Sequence, residues 1–356
     1  MKICFFNTTR AWGGGEKWHF DHALAFLNDS HQVVVVSNKK SELLAKANAY
    51  NIQTKRIKVS NLSFLNPIKF ISLFLYFKKE RFDVIVMNFS KDLKVAAPAA
   101  KLAGIPKIVY RRGSAIPIRN TLLNRMLFRF CLTNVLANSE ATKKTILQHN
   151  ANLFPVERIK VIYNGVLVKG NDAAMVANDV PVVGNLGRMV YQKGQELIID
   201  IAEILKNRSI KCKFVIGGDG ELMGSLKQKV AEKKLTDYID FVGFVDDSAL
   251  FMSKIDIFIL TSRWEGFGYV LAEAMLAKKP VLGFNISSNP ELIQDNKNGF
   301  LIPFEDKEAF ANAIELLINN PQKRKAFGEE GYRLVCERFD FEKNKQLVVD
   351  FLSGKK

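Results

Sequence analysis

The stretch IDIFILTSRWEGFGYVLAEAM, residues 255–275, decides the fold. IDIFIL (255–260) is an apolar run of strand length. Gly266 and Gly268 then let the chain turn, and YVLAEAM continues as an apolar run whose one charge is Glu273. A strand this apolar has no wet face, and a helix following it at once is the building unit of a parallel sheet covered on both sides. A carboxylate in such a run needs a partner, solvent or a ligand, because an unpaired buried charge is costly.

The same rhythm runs through the whole chain. In the first half the apolar runs are KICFFN (2–7), QVVVVS (32–37), FDVIVMN (82–88), KIVYR (107–111) and NVLAN (134–138). In the second they are PVVGNLG (181–187), KFVIGGDG (213–220), IDFVGF (239–244), IDIFIL (255–260), PVLGFN (280–285) and FLIP (300–303). Amphipathic stretches of helical length separate them, which predicts an α/β protein of two doubly wound parallel-sheet, Rossmann-like domains. The periodic pattern stops at VKGNDAAMVANDVP (168–181), a linker composition. The expected division is an N-terminal domain at 1–167, a second at 168–338 and a closing helical segment at 339–356 that could return to the first.

Charge separates the two halves. Residues 1–165 hold 26 Lys and Arg against 9 Asp and Glu, a net +17, whereas residues 166–356 hold 26 against 27, a net −1. Such asymmetry points to an anionic partner for the first half: a membrane surface, a phosphorylated glycan or lipid, or nucleic acid. Scattered solvating lysines would not divide this way. Cys4, Cys131, Cys212 and Cys336 are widely spaced with no CxxC pair, so they read as reduced thiols of a cytoplasmic protein and not as a metal site. MKICFFN (1–7) reads as an opening strand, lacking the pattern of a signal peptide, and no apolar run reaches the length of a membrane span.

Ligands of open parallel sheets gather beyond the carboxyl ends of the strands. NTTRAWGGGEKW (7–18) places Gly13, Gly14 and Gly15 between a strand and a helix, where backbone amides can approach a phosphate or sugar; a plain tight turn is the alternative. GRMVYQKG (187–194) offers Arg188 and Lys193 to one anion, unless both are solvated charges on a surface turn. GGDGE (217–221) is a sharp glycine turn. GFNISSNPELI (283–293) reads as ordinary capping of a short helix. In WEGFGYVLAEAM, Glu265 would sit just before a helix and Glu273 about two turns inside it, about 12 Å apart along the axis. That exceeds the separation of a glycosidase carboxylate pair and suits the two ends of an elongated nucleotide-sugar. A salt-bridged position on a helix flank remains open for Glu273.

Together these residues resemble the retaining family 4 glycosyltransferases of the B-type fold. Gly187–Arg188 followed by Gln192–Lys193–Gly194, then GDGE, FVGFV, SRWEGFG with the two glutamates, PELI and NGFLIP arrive in the family's order; GGGE, ANSEATKK (137–144) and VIYNGV (161–166) match in the first half. The resemblance implies two domains facing a central cleft and transfer of a sugar from a UDP-, GDP- or ADP-linked donor. It implies that Arg188 and Lys193, with Gly187 beside them, hold the donor diphosphate. Glu265 would meet the sugar hydroxyls, while Gly266, Phe267, Gly268 and Tyr269 line sugar and phosphate. Glu273 would hold the ribose, Phe244 and Val245 the base, and Gly14 and Gly15 would complete the site. The family usually has a histidine where this chain has Arg112, which cannot act as a base at neutral pH but could anchor an anion.

No DxD triplet occurs, so the expected chemistry is metal-independent, without a cofactor: cations and helix amides neutralise the leaving diphosphate. In the retaining route that the family implies, a departing phosphate oxygen helps deprotonate the acceptor, with domain closure excluding water. NLSFLNPIKFISLFLYFKKERF (61–82) and RRGSAIPIRNTLLNRMLFRF (111–130) combine apolar and basic residues. They favour a membrane-bound or phosphorylated acceptor, such as a lipid-linked glycan or lipopolysaccharide core, and a peripheral place on the inner face of the plasma membrane. For the first segment, a helix packed on the sheet is the competing reading. A nucleotide-sugar epimerase of the same fold and a nucleic-acid or anionic-polymer binder are the rival functions; no nucleic-acid-binding motif is present.

Overall fold

The computed structural model describes residues 1–168 and 178–354. Most of the linker expected at 168–181 lies outside the described residues. The chain forms two compact units, Met1–Asn164 with Glu342–Lys356, and Gly165–Phe341.

The first unit holds a seven-stranded, wholly parallel sheet: β1 (Lys2–Phe6), β2 (Gln32–Ser37), β3 (Gln53–Arg56), β4 (Val84–Met87), β5 (Lys107–Arg112), β6 (Asn134–Ala137) and β7 (Ile159–Val161), in the order β3-β2-β1-β4-β5-β6-β7. Ile3 of β1 pairs with Val33 on one side and Val84 on the other. Strand order therefore reverses at the β1/β4 boundary, and a ligand crevice opens at the carboxyl end of such a boundary. β3 and β7 are absent from the set of apolar runs. Both are edge strands: β3 reads QTKR and shows its side chains largely to solvent, and β7 is three residues long.

Alternate residues of β1 serve opposite faces of the sheet. Cys4 and Phe6 pack with Leu73, Phe77, Leu93 and Phe128, from the helices that follow the reversal. Ile3 and Phe5 pack with Trp18, Phe26 and Leu43 on the other side. Val348 and Leu352, from the closing helix Phe341–Ser353, join that second cluster.

The second unit repeats the plan with six parallel strands: β8 (Val182–Leu186), β9 (Lys213–Gly217), β10 (Ile239–Gly243), β11 (Ile257–Leu260), β12 (Val281–Phe284) and β13 (Gly299–Ile302), in the order β10-β9-β8-β11-β12-β13. Its reversal lies between β8 and β11, which pair through Ile257 and Val183. The helix Gln195–Asn207 buries Ile198, Ile201, Ala202 and Leu205, an i, i+3, i+4, i+7 stripe, against Phe214 and Ile259 of the sheet.

Candidate functional site

At the carboxyl ends of β8 and β11 two loops meet, Gly187–Gly194 and Thr261–Gly268. Gly194 takes φ +61° and starts the helix Gln195–Asn207; a Cβ there would lie 2.3 Å from the Thr261 carbonyl oxygen, so only glycine fits. Thr261 Oγ1 donates to the Lys193 carbonyl at 3.2 Å, the Arg263 amide to the Gln192 carbonyl at 2.8 Å, and Gln192 Nε2 to the Trp264 carbonyl at 2.9 Å. Arg263 tightens the same seam: its guanidinium donates to the Tyr191 carbonyl at 2.9 Å, pairs with Glu196 at 2.6 Å and Glu305 at 3.2 Å, and lies over the Tyr191 ring. The short turn Tyr191–Lys193 is thus held from both sides.

This seam brings Lys193 Nζ to 2.5 Å from Glu265 Oε1. Glu265 is 6% exposed. Ser262 Oγ donates to the same oxygen at 2.6 Å, while Oε2 carries no hydrogen bond among the described residues. The carboxylate is therefore held by one oxygen and open at the other. Arg188 is exposed, and its guanidinium makes no ion pair or hydrogen bond among the described residues. Its backbone is fixed by the glycine turn after β9: the Gly187 amide donates to the Gly217 carbonyl at 3.0 Å and the Met189 amide to the Asp219 carbonyl at 2.9 Å. A fixed backbone with an open cationic side chain, beside a part-buried Lys–Glu pair, can take a diphosphate and a polyhydroxylated group side by side.

Other predicted residues fall as follows. Gly266 is buried. Phe267 is 2% exposed and its ring packs edge-on against Tyr269 and Phe339, so its side chain serves the core. Gly268, at φ +85°, caps the helix Tyr269–Leu276. That start corrects the spacing of the two glutamates. Glu273 is the fifth helical residue, a little over one turn in, and residues 265–268 lie outside the helix, so the helical rise cannot be applied across them. Glu273 is half-buried between buried Ala272 and Ala274. Phe244 stands 73% exposed just past edge strand β10, and Val245 beside it packs towards Gly217. Ser288 stands at the N-cap of the helix Asn289–Leu292 but makes no side-chain capping bond; its hydroxyl turns to the Glu265 carbonyl at 3.4 Å. Sequence reading gave no role to Ser262 or Arg263: Ser262 meets Glu265 three residues on, a contact set by the turn geometry, and the partners of Arg263, at Tyr191, Glu196 and Glu305, lie far away in the chain.

The first unit has its own cluster at the β1/β4 boundary. Gly13 precedes, and Gly14 and Gly15 begin, the helix Gly14–Asn28; a Cβ on Gly15 would meet Asn88 Nδ2 at 2.5 Å. The neighbouring arginines differ. Arg111 is buried: it donates to Asn88 Oδ1 at 2.9 Å and Asn164 Oδ1 at 3.0 Å, and lies over the Trp18 ring. Arg112, the residue at the family's histidine position, donates to Tyr110 Oη at 3.3 Å and to the Ile116 carbonyl at 2.5 Å, so part of its guanidinium is engaged in tying its own loop. Burial pulls the buried His19 down to about 3, with Arg111 adding to the effect, so it stays neutral.

Asp92 is fully buried and accepts from both the amide and the hydroxyl of Thr8, joining the helix Ser90–Leu102 to the loop after β1. Burial raises its carboxyl to about 7, against the lowering effect of those bonds. Between the unfolded value near 4 and about 7 the folded chain thus binds the extra proton, and this group's contribution to stability falls as pH rises through that window. Melting of the wild type minus Asp92→Asn from pH 4 to 8 should show a decline that flattens above about 7; a difference independent of pH would refute the assignment.

The glycosyl transferases group 1 family model matches residues 169–334, and the glycosyltransferase family 4 model matches residues 12–168. The chain is 30% identical over 212 residues to the poly(ribitol-phosphate) alpha-N-acetylglucosaminyltransferase of Staphylococcus aureus, covering 59% of this chain and 42% of that one. It is 28% identical over 277 residues to the UDP-Gal:alpha-D-GlcNAc-diphosphoundecaprenol alpha-1,3-galactosyltransferase of Escherichia coli, covering 71% of each. The chain thus spans less than half the length of the first of these relatives. Among solved structures, Anabaena HepE in complex with UDP-glucose is similar with a TM-score of 0.85 at 25% identity, covering 99% of this chain and all of that one.

Proposed function

From the premise that the chain belongs to the family 4 glycosyltransferases of the B-type fold, we propose that it is a retaining, metal-independent transferase that moves a sugar from a nucleotide-sugar to a glycan or lipid-linked acceptor of the cell envelope. One observation carries this reading: the largely buried Lys193–Glu265 pair at the β8/β11 reversal, with one carboxylate oxygen and the nearby Arg188 guanidinium unpaired among the described residues. Lys193 and Arg188 take the diphosphate and stabilise it as it leaves. Oε2 of Glu265 accepts from a sugar hydroxyl, Glu273 from the ribose, and exposed Phe244 with Val245 meets the base. Gly14 and Gly15 are assigned to the acceptor-side loop. The leaving phosphate oxygen takes the acceptor proton, so that no protein nucleophile is needed. A UDP-sugar is the favoured donor, since HepE is seen with UDP-glucose and the Escherichia coli relative is described as using UDP-Gal.

The acceptor reading rests on charge. Poly(ribitol-phosphate) and diphosphoundecaprenol, the groups in the relatives' descriptions, are anionic, and the first unit's sequence is strongly basic. A cytoplasmic protein peripheral on the inner membrane face fits that pairing. The test is a thermal-shift panel of UDP-, GDP- and ADP-sugars, followed by product analysis with and without envelope glycolipid. A UDP-sugar should raise the melting temperature, and UDP should accumulate with the glycolipid as the sugar is transferred with its anomeric configuration kept. Turnover of the donor to an epimer without acceptor would replace the transferase with an epimerase. Salt-sensitive DNA binding with no nucleotide-sugar effect would overturn both.

A further inference from the structure

The first unit leaves one apolar face without a protein partner among the described residues. Strand order reverses after β3, so right-handed crossovers place Pro67–Glu80, Ser90–Leu102 and the helical segment 122–131 on a single side of the sheet. Their inner residues share one core: Leu73, Phe77, Leu93, Leu127 and Phe128. The outer helices have a second apolar stripe. On Pro67–Glu80, Ile68 (78% exposed), Ile71 and Leu75 follow one another at i, i+3, i+7 and run into exposed Lys78 and Lys79. On 122–131, exposed Leu122, Met126 and Phe130 stand at i, i+4, i+8 with exposed Arg125 and Arg129 between them.

Acidic groups do not offset these cations. From residue 61 to 131 the acids are Glu80, Asp83 and Asp92. Glu80 pairs with Lys2 at 2.6 Å, Asp83 accepts from the Lys2 amide at 2.7 Å, and Asp92 is buried. The aromatic residues that dominate 61–82 largely turn inward: Phe77 and Phe82 are buried, and Phe70, Phe74 and Tyr76 pack on the core. What remains outside is a set of apolar side chains bordered by uncompensated Lys and Arg. A second copy of this face would meet it with like charge, whereas anionic lipid headgroups over an acyl boundary match both components. Among the described residues no helix is long and apolar enough to cross a membrane.

We propose that this three-helix face is the surface on which the protein rests on an anionic bilayer, with Ile68, Ile71, Leu75, Leu122, Met126 and Phe130 entering the acyl boundary and the flanking cations meeting lipid phosphates. The proposal deepens the membrane-acceptor reading and rests on it for its purpose. The binding itself can be measured separately. The full chain is sedimented with phosphatidylcholine vesicles, with or without about 30% phosphatidylglycerol. The anionic vesicles should carry about tenfold more protein. Ile71→Asp with Leu75→Asp, and separately Met126→Asp with Phe130→Asp, should each lose about tenfold of that binding. Both double variants should keep the UDP-induced melting shift, which also reports folding; should one pair unfold, the other decides. Equal binding to neutral vesicles, or variants that bind like the wild type, would overturn the proposal. So would a concentration-dependent dimer that the variants dissociate in place of any vesicle binding, assigning the face to a second copy. Vesicle binding without a UDP shift would leave the surface standing and remove the donor reading.

Discussion

Replacing Lys193 with alanine is expected to lower the transfer rate by about 10²- to 10³-fold, the usual effect of deleting one positioned group that stabilises transition-state charge. Its ammonium lies 2.5 Å from Glu265, and the two side chains are only 16% and 8% exposed. Deleting the cation therefore also strands a largely buried carboxylate, at a cost of about 3 kcal/mol. Ser262 still donates to that carboxylate, which should keep the variant folded. The two effects separate in a double variant. Lys193→Ala with Glu265→Gln should regain stability, because no unpaired charge is left, but not rate. Recovery of rate together with stability would make the pair a structural bridge and remove the phosphate role.

The second large effect is expected from Gly218→Ala. Gly218 takes φ +124°, and an added Cβ would lie 1.9 Å from the Gly187 carbonyl oxygen, so both backbone strain and overlap oppose alanine. Together they predict a loss of about 3 kcal/mol or more, on the order of 10 °C in melting temperature for a unit of this size. The Gly187–Met189 turn must also shift, carrying Arg188 with it, so donor affinity should fall even below the melting transition. Gly224 supplies the contrast: nothing lies within 4 Å of its added Cβ, and Gly224→Ala should be neutral or slightly stabilising. Equal behaviour of the two variants would contradict the packing of the β9 turn against the β8 turn.

The fold was legible because central strands of a covered parallel sheet must be apolar on both faces, and each of the eleven apolar runs coincides with a strand. β3 and β7 escaped because an edge strand is released from that demand: QTKR is held by pairing with β2, not by burial. The glycines and charges of the candidate site were visible as residue types. Their arrangement was not, since the requirement for glycine at 194 comes from the carbonyl of Thr261, and Ser288 meets Glu265 only once the loops after β11 and β12 are brought together. The arginine pair shows the same limit. Nothing in YRRG tells that Arg111 is buried between Asn88, Asn164 and Trp18 while Arg112 ties its own loop.

The central claim is that one pair of side chains grips both sides of the sugar–phosphate junction, and calorimetric titration of UDP and UDP-glucose into the wild type and Glu265→Gln tests it most directly. UDP has no sugar for Glu265 to hold, and its affinity should stay level or rise as Lys193 is released to the phosphates. UDP-glucose should bind about tenfold more weakly, one lost charge-assisted hydrogen bond. A Glu265→Gln variant that binds both ligands as the wild type does, or that loses UDP and UDP-glucose equally, would contradict the account.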